Sequence, residues 1–185
     1  MNICVFGAAS DEIDPSYLAA GRALGLCMAR RGHTLLFGAG KNGLIGAVAA
    51  GVTANGGRCI GVVPEFLASK ASIYPGCAEL IRVSTMRERK RIMEERADAF
   101  IVTPGGIGTY EEFFEVYSLR RLGQLDKPIA LLNTNGFFDA MNAMLRQEAQ
   151  AHFLPARDLR QYRCFTDCDA LLDDLEAMPR AADRR

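Results

Sequence analysis

Short apolar runs alternate with longer amphipathic stretches along this chain. NICVF (2–6), TLLF (34–37), RCIGVVP (58–64), ELIRV (79–83), DAFIVT (98–103) and KPIALLN (127–133) have strand length and strand-forming composition. Between them lie helical patterns. Residues 15–32 carry Pro15 early and Gly32 at the end; 43–55 is built of small residues; 86–97 is highly charged. Residues 110–123 are amphipathic and close on Gly123, and 136–150 form a further helix. The stretch 65–78 reads as irregular. The tail from Ala151 reads as a polar loop, a short strand at 163–166 and a helix near 167–178. This alternation predicts a doubly wound α/β architecture, a mainly parallel sheet with helices on both faces. No linker or repeat divides it, so one domain over 1–180 is expected, with a frayed tail at 181–185. Ligands in such sheets bind outside the carboxyl ends of the strands.

Composition narrows the classes of function. The 185 residues carry 22 basic and 22 acidic side chains and no net charge. That balance argues against a broad nucleic-acid or anionic-membrane footprint. No apolar run reaches the roughly 18–20 residues of a membrane span. The opening MNICVFGAAS enters a strand without a basic segment or cleavage site, so a cytoplasmic protein is expected. Six cysteines sit mostly in apolar runs and read as reduced, buried hydrophobes. Cys164 and Cys168 are four apart but no second ligand pair follows, and His33 and His152 form no metal motif. No metal site is expected from these residues.

Two glycine loops carry the candidate chemistry. FGAGKNG (37–43) places Gly38, Gly40 and Gly43 in a G-x-G-x-x-G spacing between a strand and a helix, with Glu65 22 residues beyond Gly43. This admits three readings: tight turns and close helix packing, a phosphate contact, or dinucleotide binding by an oxidoreductase. TPGGIGTYEE (103–112) sets Gly105, Gly106 and Gly108 before a helix. Backbone N–H groups at a helix start bind phosphate, and glycines let it approach. Thr109 and Glu112 also match a capping box, T-x-x-E. The cap and a ligand-facing role for Glu112 both remain open on local grounds.

PGGIGTYEE matches the PGGxGTxxE motif of the Lonely Guy (LOG) family, the cytokinin riboside 5′-monophosphate phosphoribohydrolases. MRERKRIM (86–93) resembles that family's second signature, and GAGKNGLIGAVA, GGRCIGVVPEFL and LGQLDKPIALLN extend the resemblance over most of the chain. Family members have often been labelled lysine decarboxylases, yet none of Lys41, Lys70, Lys90 and Lys127 has a local setting suited to a Schiff base. The resemblance implies a Rossmann-like fold and a homodimer or larger homo-oligomer with sites near the subunit interface. It implies hydrolysis of the N-glycosidic bond of AMP or an N6-substituted nucleoside 5′-monophosphate, without cofactor. Glu112 would face the ribose, and Arg89 would serve the phosphate or the departing base. Lys90, Gly105, Gly106, Gly108, Thr109, Glu111, Ser118, Gly38, Gly40 and Ser10 would contribute to substrate binding. Otherwise Arg89 and Lys90 would belong to a solvated helix with pairs such as Arg91–Glu95. Arg87 stands where the family commonly has histidine, and Ala71 stands where plant-type members often carry an acid. A nucleotide carrier or sensor without turnover is the alternative on the same fold.

Overall fold

The computed structural model describes residues 1–68 and 72–178. Ala71, Lys70 and the tail expected to fray lie outside them. The strands are β1 (Asn2–Phe6), β2 (Thr34–Phe37), β3 (Arg58–Pro64), β4 (Glu79–Val83), β5 (Ala99–Val102), β6 (Ile129–Leu132) and β7 (Arg163–Phe165). The helices are α1 (Pro15–Arg30), α2 (Gly43–Ala54), the short α3 (Glu65–Ala68), α4 (Met86–Arg96), α5 (Ile107–Arg121), α6 (Asp139–Gln150) and α7 (Cys168–Ala177).

The strands form one seven-stranded sheet in the order β4-β3-β2-β1-β5-β6-β7. Every neighbouring pair is parallel. The period-two alternation sorts side chains to two cores. Cys4, Phe6, Leu36, Phe100, Val102, Ile129 and Leu131 face one side, where Met93, Phe113 and Leu145 pack on them. Ile3, Val5, Leu35, Phe37, Ala99, Ile101 and Ala130 face the other, against Leu24, Val48 and Leu171. Burial on both faces is why these strands read as unbroken apolar runs.

The chain winds outward from β1 to β4, then returns to place β5 on the other side of β1. The crevice between the carboxyl ends of β1 and β5 is thus the topological switch point. Three loops converge there: Gly7–Ser10 after β1, Gly38–Asn42 after β2, and Thr103–Gly106 after β5. The first and third are tied by the Ala8 N–H bond to the Pro104 carbonyl at 3.0 Å. A Cβ on Gly7 would stand 2.1 Å from Thr103 Oγ1, so only glycine permits this approach.

The structure corrects two local expectations. The stretch after β3 opens with α3 rather than running irregularly throughout. Helix α5 starts at Ile107, three residues before the periodicity suggested, because its glycine-rich first turn resembles a loop in sequence.

Candidate active site

Helix α4 is the first support. Thr85 Oγ1 accepts the Glu88 N–H at 3.1 Å, and Glu88 Oε2 accepts the Ser84 N–H at 3.0 Å. Thr85 and Glu88 thus cap the start of α4 in a variant of the capping box, with the carboxylate reaching the N–H one residue before the cap. This cap starts the helix at Met86, which places Arg89 in the first turn. Arg89 Nε donates to the Val62 carbonyl at 3.3 Å. Its Nη2 packs so closely on Gly38 that a Cβ there would lie 2.1 Å away. Gly38 is thus the gap through which the guanidinium enters the site.

Helix α5 is the second support. Its N-cap is Gly106, and no side chain caps it. Thr109 lies inside the first turn with its N–H on the Gly106 carbonyl at 3.0 Å. The capping-box reading of Thr109 and Glu112 is overturned. Glu112 Oε1 instead lies 3.4 Å from Arg89 Nη2, with both side chains nearly enclosed at 12% and 13% exposure. Burial raises the Glu112 carboxyl to about 7; Arg89 opposes the rise, and Glu111 adds to it. Glu112 is therefore poised between its two protonation states near neutrality, the range suited to a reacting acid or base.

Glu112 stands where two depressions meet. One, about 270 Å³, is lined by Phe6, Gly38, Ala39, Gly40, Ile45, Val63, Leu67, Ile73, Arg89 and Glu112. It is predominantly apolar, as small-molecule pockets commonly are. The other, about 330 Å³, is lined by Gly7, Ala8, Ala9, Ser10, Gly106, Gly108, Thr109 and Glu112. Here the N–H groups of Gly105, Gly106, Ile107 and Gly108 have no acceptor among the described residues. A Cβ on Gly106 or Gly108 would meet nothing within 4 Å, so open space lies beside the helix start. That is a helix N-terminus prepared for an anion.

The two glycine loops differ in this respect. At the start of α2, Gly43 N–H is bound by Asp11 Oδ1 at 2.7 Å and Ile45 N–H by the Ala8 carbonyl at 3.0 Å. The chain itself occupies these donors, which removes the geometric basis for pyrophosphate binding on 38–43. Gly38 and Gly40 line the apolar slot instead. Asp11 was not singled out by sequence, because nothing local shows that a loop acid reaches a helix start 32 positions away.

The remaining residues of interest divide. Ser10 lines the glycine-loop depression and also accepts the Glu12 N–H at 3.2 Å. Lys90 turns away from both depressions, binding Glu111 at 2.6 Å and Glu115 at 2.9 Å. Lys90 and Glu111 thus satisfy each other, and Ser118 is exposed on α5 outside both depressions. Arg91 and Glu95 form the expected helical pair at 2.8 Å. Among the described residues no lysine lines either depression, and Lys127 Nζ is bound to the carbonyls of Glu94 and Glu95. Among the described residues, then, none is placed for Schiff-base chemistry.

Gly108 allows a separation of fold from binding. Gly108→Ala puts a methyl into open space within a helical turn. It should stabilise the helix by roughly 0.5–1 kcal/mol. The same methyl crowds an anion at the loop, so the KM for an anionic substrate should rise about tenfold or more, the worth of a charge-assisted hydrogen bond. Thermal melting and steady-state kinetics on one preparation check both directions.

A family described as "possible lysine decarboxylase" matches residues 45–175. The cytokinin riboside 5′-monophosphate phosphoribohydrolase of Mycobacterium tuberculosis is 41% identical over 143 residues, 77% of this chain and 76% of that protein. The LOG2 enzyme of the same description from Arabidopsis thaliana is 34% identical over 174 residues, 94% of this chain and 82% of that one. The molybdenum cofactor carrier protein of Chlamydomonas reinhardtii superposes with a TM-score of 0.70 at 22% identity, covering 95% and 98% of the two chains. A molybdenum cofactor binding protein from Rippkaea orientalis does so with a TM-score of 0.70 at 20% identity, covering 95% and 96%. These last two share the fold. The sequence relatives go further, and this chain belongs to the LOG family, the cytokinin riboside 5′-monophosphate phosphoribohydrolases.

Proposed function

We propose that this protein hydrolyses the N-glycosidic bond of AMP or an N6-substituted nucleoside 5′-monophosphate, releasing the free base and ribose 5-phosphate. The observation that carries this reading is the place of Glu112. Its enclosed carboxylate stands at the seam between a loop of free amide donors and an apolar slot. A nucleoside monophosphate has matching parts: a phosphate, a sugar and a flat base.

The amides of Gly105, Gly106, Ile107 and Gly108 receive the phosphate. The base enters the slot past Gly38 and Gly40. The ribose is left beside Glu112. As the C–N bond breaks, positive charge grows on the sugar, and an ionised Glu112 stabilises it or orients the attacking water. Arg89, within reach of the same carboxylate, keeps part of the Glu112 population ionised and serves the departing base or the phosphate. Lys90 assists as a tether of α4 to α5 through Glu111 and Glu115. Thr109 borders the phosphate site, with its N–H spent on Gly106.

The protein is read as a homodimer or larger assembly in the cytoplasm. Ile107, 85% exposed beside the phosphate loop, supports the first part, as does a shallow apolar groove lined by Tyr110, Phe114, Ala140, Met141 and Met144. Sedimentation of the purified protein is its check. No helix among the described residues is long and apolar enough to cross a membrane.

Incubation with a panel of nucleoside 5′-monophosphates, including isopentenyl-AMP, scored for base release, tests the reaction. Monophosphates should be cleaved at least about 10²-fold faster, as kcat/KM, than the matching nucleosides. Phosphate binding at the loop is what holds the sugar against Glu112, so remote binding energy is converted to rate. Equal turnover of adenosine and AMP would refute the role of the loop. NAD(P) titration separates the oxidoreductase reading, and AMP binding without adenine release separates the carrier.

A further inference from the structure

Cys27 and Cys168 are 141 positions apart in sequence, yet their sulfur atoms lie 3.0 Å from each other. Cys27 belongs to the last turns of α1, and Cys168 is the first residue of α7. Both are partly exposed and both are free thiols. The pair is held by its surroundings on several sides. Arg31, just past α1, binds Asp169 at 2.7 Å, Asp173 at 2.5 Å and Glu176 at 3.2 Å, all on α7. His33 Nε2 meets Glu176 Oε1 at 2.7 Å. Leu171, Leu172 and Leu175 anchor α7 in the core below. The helices are thus clamped with the two sulfurs about 1 Å beyond disulfide bonding distance.

We propose that Cys27 and Cys168 form a reversible disulfide under hydroperoxide stress, a covalent link between α1 and α7. The chemistry balances in two steps. The Cys168 sulfur attacks one peroxide oxygen; an S–O bond forms, the O–O bond breaks and water leaves, giving a sulfenic acid. The Cys27 sulfur then attacks the Cys168 sulfur; the S–S bond forms, the S–O bond breaks, and a second water leaves with the thiol proton. Two thiols are oxidised and one peroxide is reduced to two waters. Cys168 reacts first because burial, with help from Cys168 and Asp169, pushes the Cys27 thiol up to about 12 and keeps it protonated.

Asp169 completes a group of three potential metal ligands with these cysteines. The geometry favours the disulfide over a metal. Asp169 is already bound to Arg31, whose positive charge stands beside the place a cation would occupy. Two thiolates on tetrahedral zinc would also sit about 3.8 Å apart, given bonds of about 2.3 Å.

The experiment treats the purified protein with one equivalent of hydrogen peroxide, then maps tryptic peptides and records thermal melting. The expected result is a Cys27–Cys168 linked peptide and a melting temperature raised by roughly 5–15 °C, since the link closes a long loop. Dithiothreitol should reverse both. Cys168→Ser, a substitution suited to a helix start, should abolish both while leaving the reduced protein's melting point nearly unchanged. A linkage at another pair such as Cys59–Cys77 overturns the proposal, as does the absence of any linked peptide. So does stoichiometric zinc that blocks both thiols in the untreated protein. None of these readouts depends on whether the protein cleaves nucleotides.

Discussion

Glu112→Gln lowers the turnover of AMP by about 10²-fold or more, while the protein stays folded and still binds AMP. Glutamine keeps the shape that fills the seam between the two depressions. It removes the charge that a cationic sugar requires. Binding should weaken little, because a negative charge near the phosphate has gone. The fold should tolerate the change well, since no capping bond of α5 depends on Glu112. Stability should respond to pH in a defined direction. Burial raises the Glu112 pKa from 4.5 to about 7. The native state therefore favours the protonated acid, and that contribution is complete below about 4.5 and lost as pH rises through about 7. Relative to wild type, the glutamine variant gains stability across the same window. Wild-type kcat/KM for AMP should climb about tenfold per pH unit below 7 and level off above it, as the carboxylate ionises. Calorimetry and a pH–rate profile on both proteins check these statements. Turnover of AMP by the variant within a few-fold of wild type would remove Glu112 from the mechanism.

Arg89→Ala should cost about 10²–10³-fold in kcat/KM. It should also move the acid limb of the pH profile upward, because Arg89 lowers the Glu112 pKa against the effect of burial. The shift of the limb separates an electrostatic role from simple damage to the helix, which would scale the whole profile without moving it. Helix α4 should survive, since it is started by Thr85 and Glu88 and anchored by buried Met93. Arg89→Lys should recover only part of the loss. A lysine keeps the charge but cannot reach the Val62 carbonyl and Glu112 together through a planar fork. An unshifted limb in Arg89→Ala would mean that the guanidinium does not tune Glu112.

The sheet was legible in the sequence for a physical reason. Strands buried on both faces are unbroken apolar runs, and β1 to β4 begin and end where those runs do. The order of the strands was not legible beyond its parallel character, because order is decided by which faces of α1, α2, α4 and α5 cover the sheet. Within the site, the residue types were readable and their partners were not. Two T-x-x-E patterns occur, at Thr85–Glu88 and Thr109–Glu112, and each satisfies the local rule equally. Only the first is a cap, because the second glutamate is drawn inward to Arg89, 23 positions earlier in the chain. Lys90 and Glu111 looked like ligand contacts from their signatures. The fold brings α4 and α5 side by side, and the two charges meet each other. Short-range patterns cannot distinguish such outcomes, since the deciding distances are between elements.

Asp11 has a consequence for which nucleotides this scaffold can accept. Its carboxylate occupies the start of α2 in the way a free anion would, but it is fastened to the chain. A tethered competitor acts at an effective concentration of roughly millimolar or higher. Any second phosphate seeking that helix start must displace it and leave a carboxylate unpaired. The start of α2 is thus filled by the protein itself. On the reading proposed above, a ligand with one phosphate is untouched by this competition and a ligand with two must meet it.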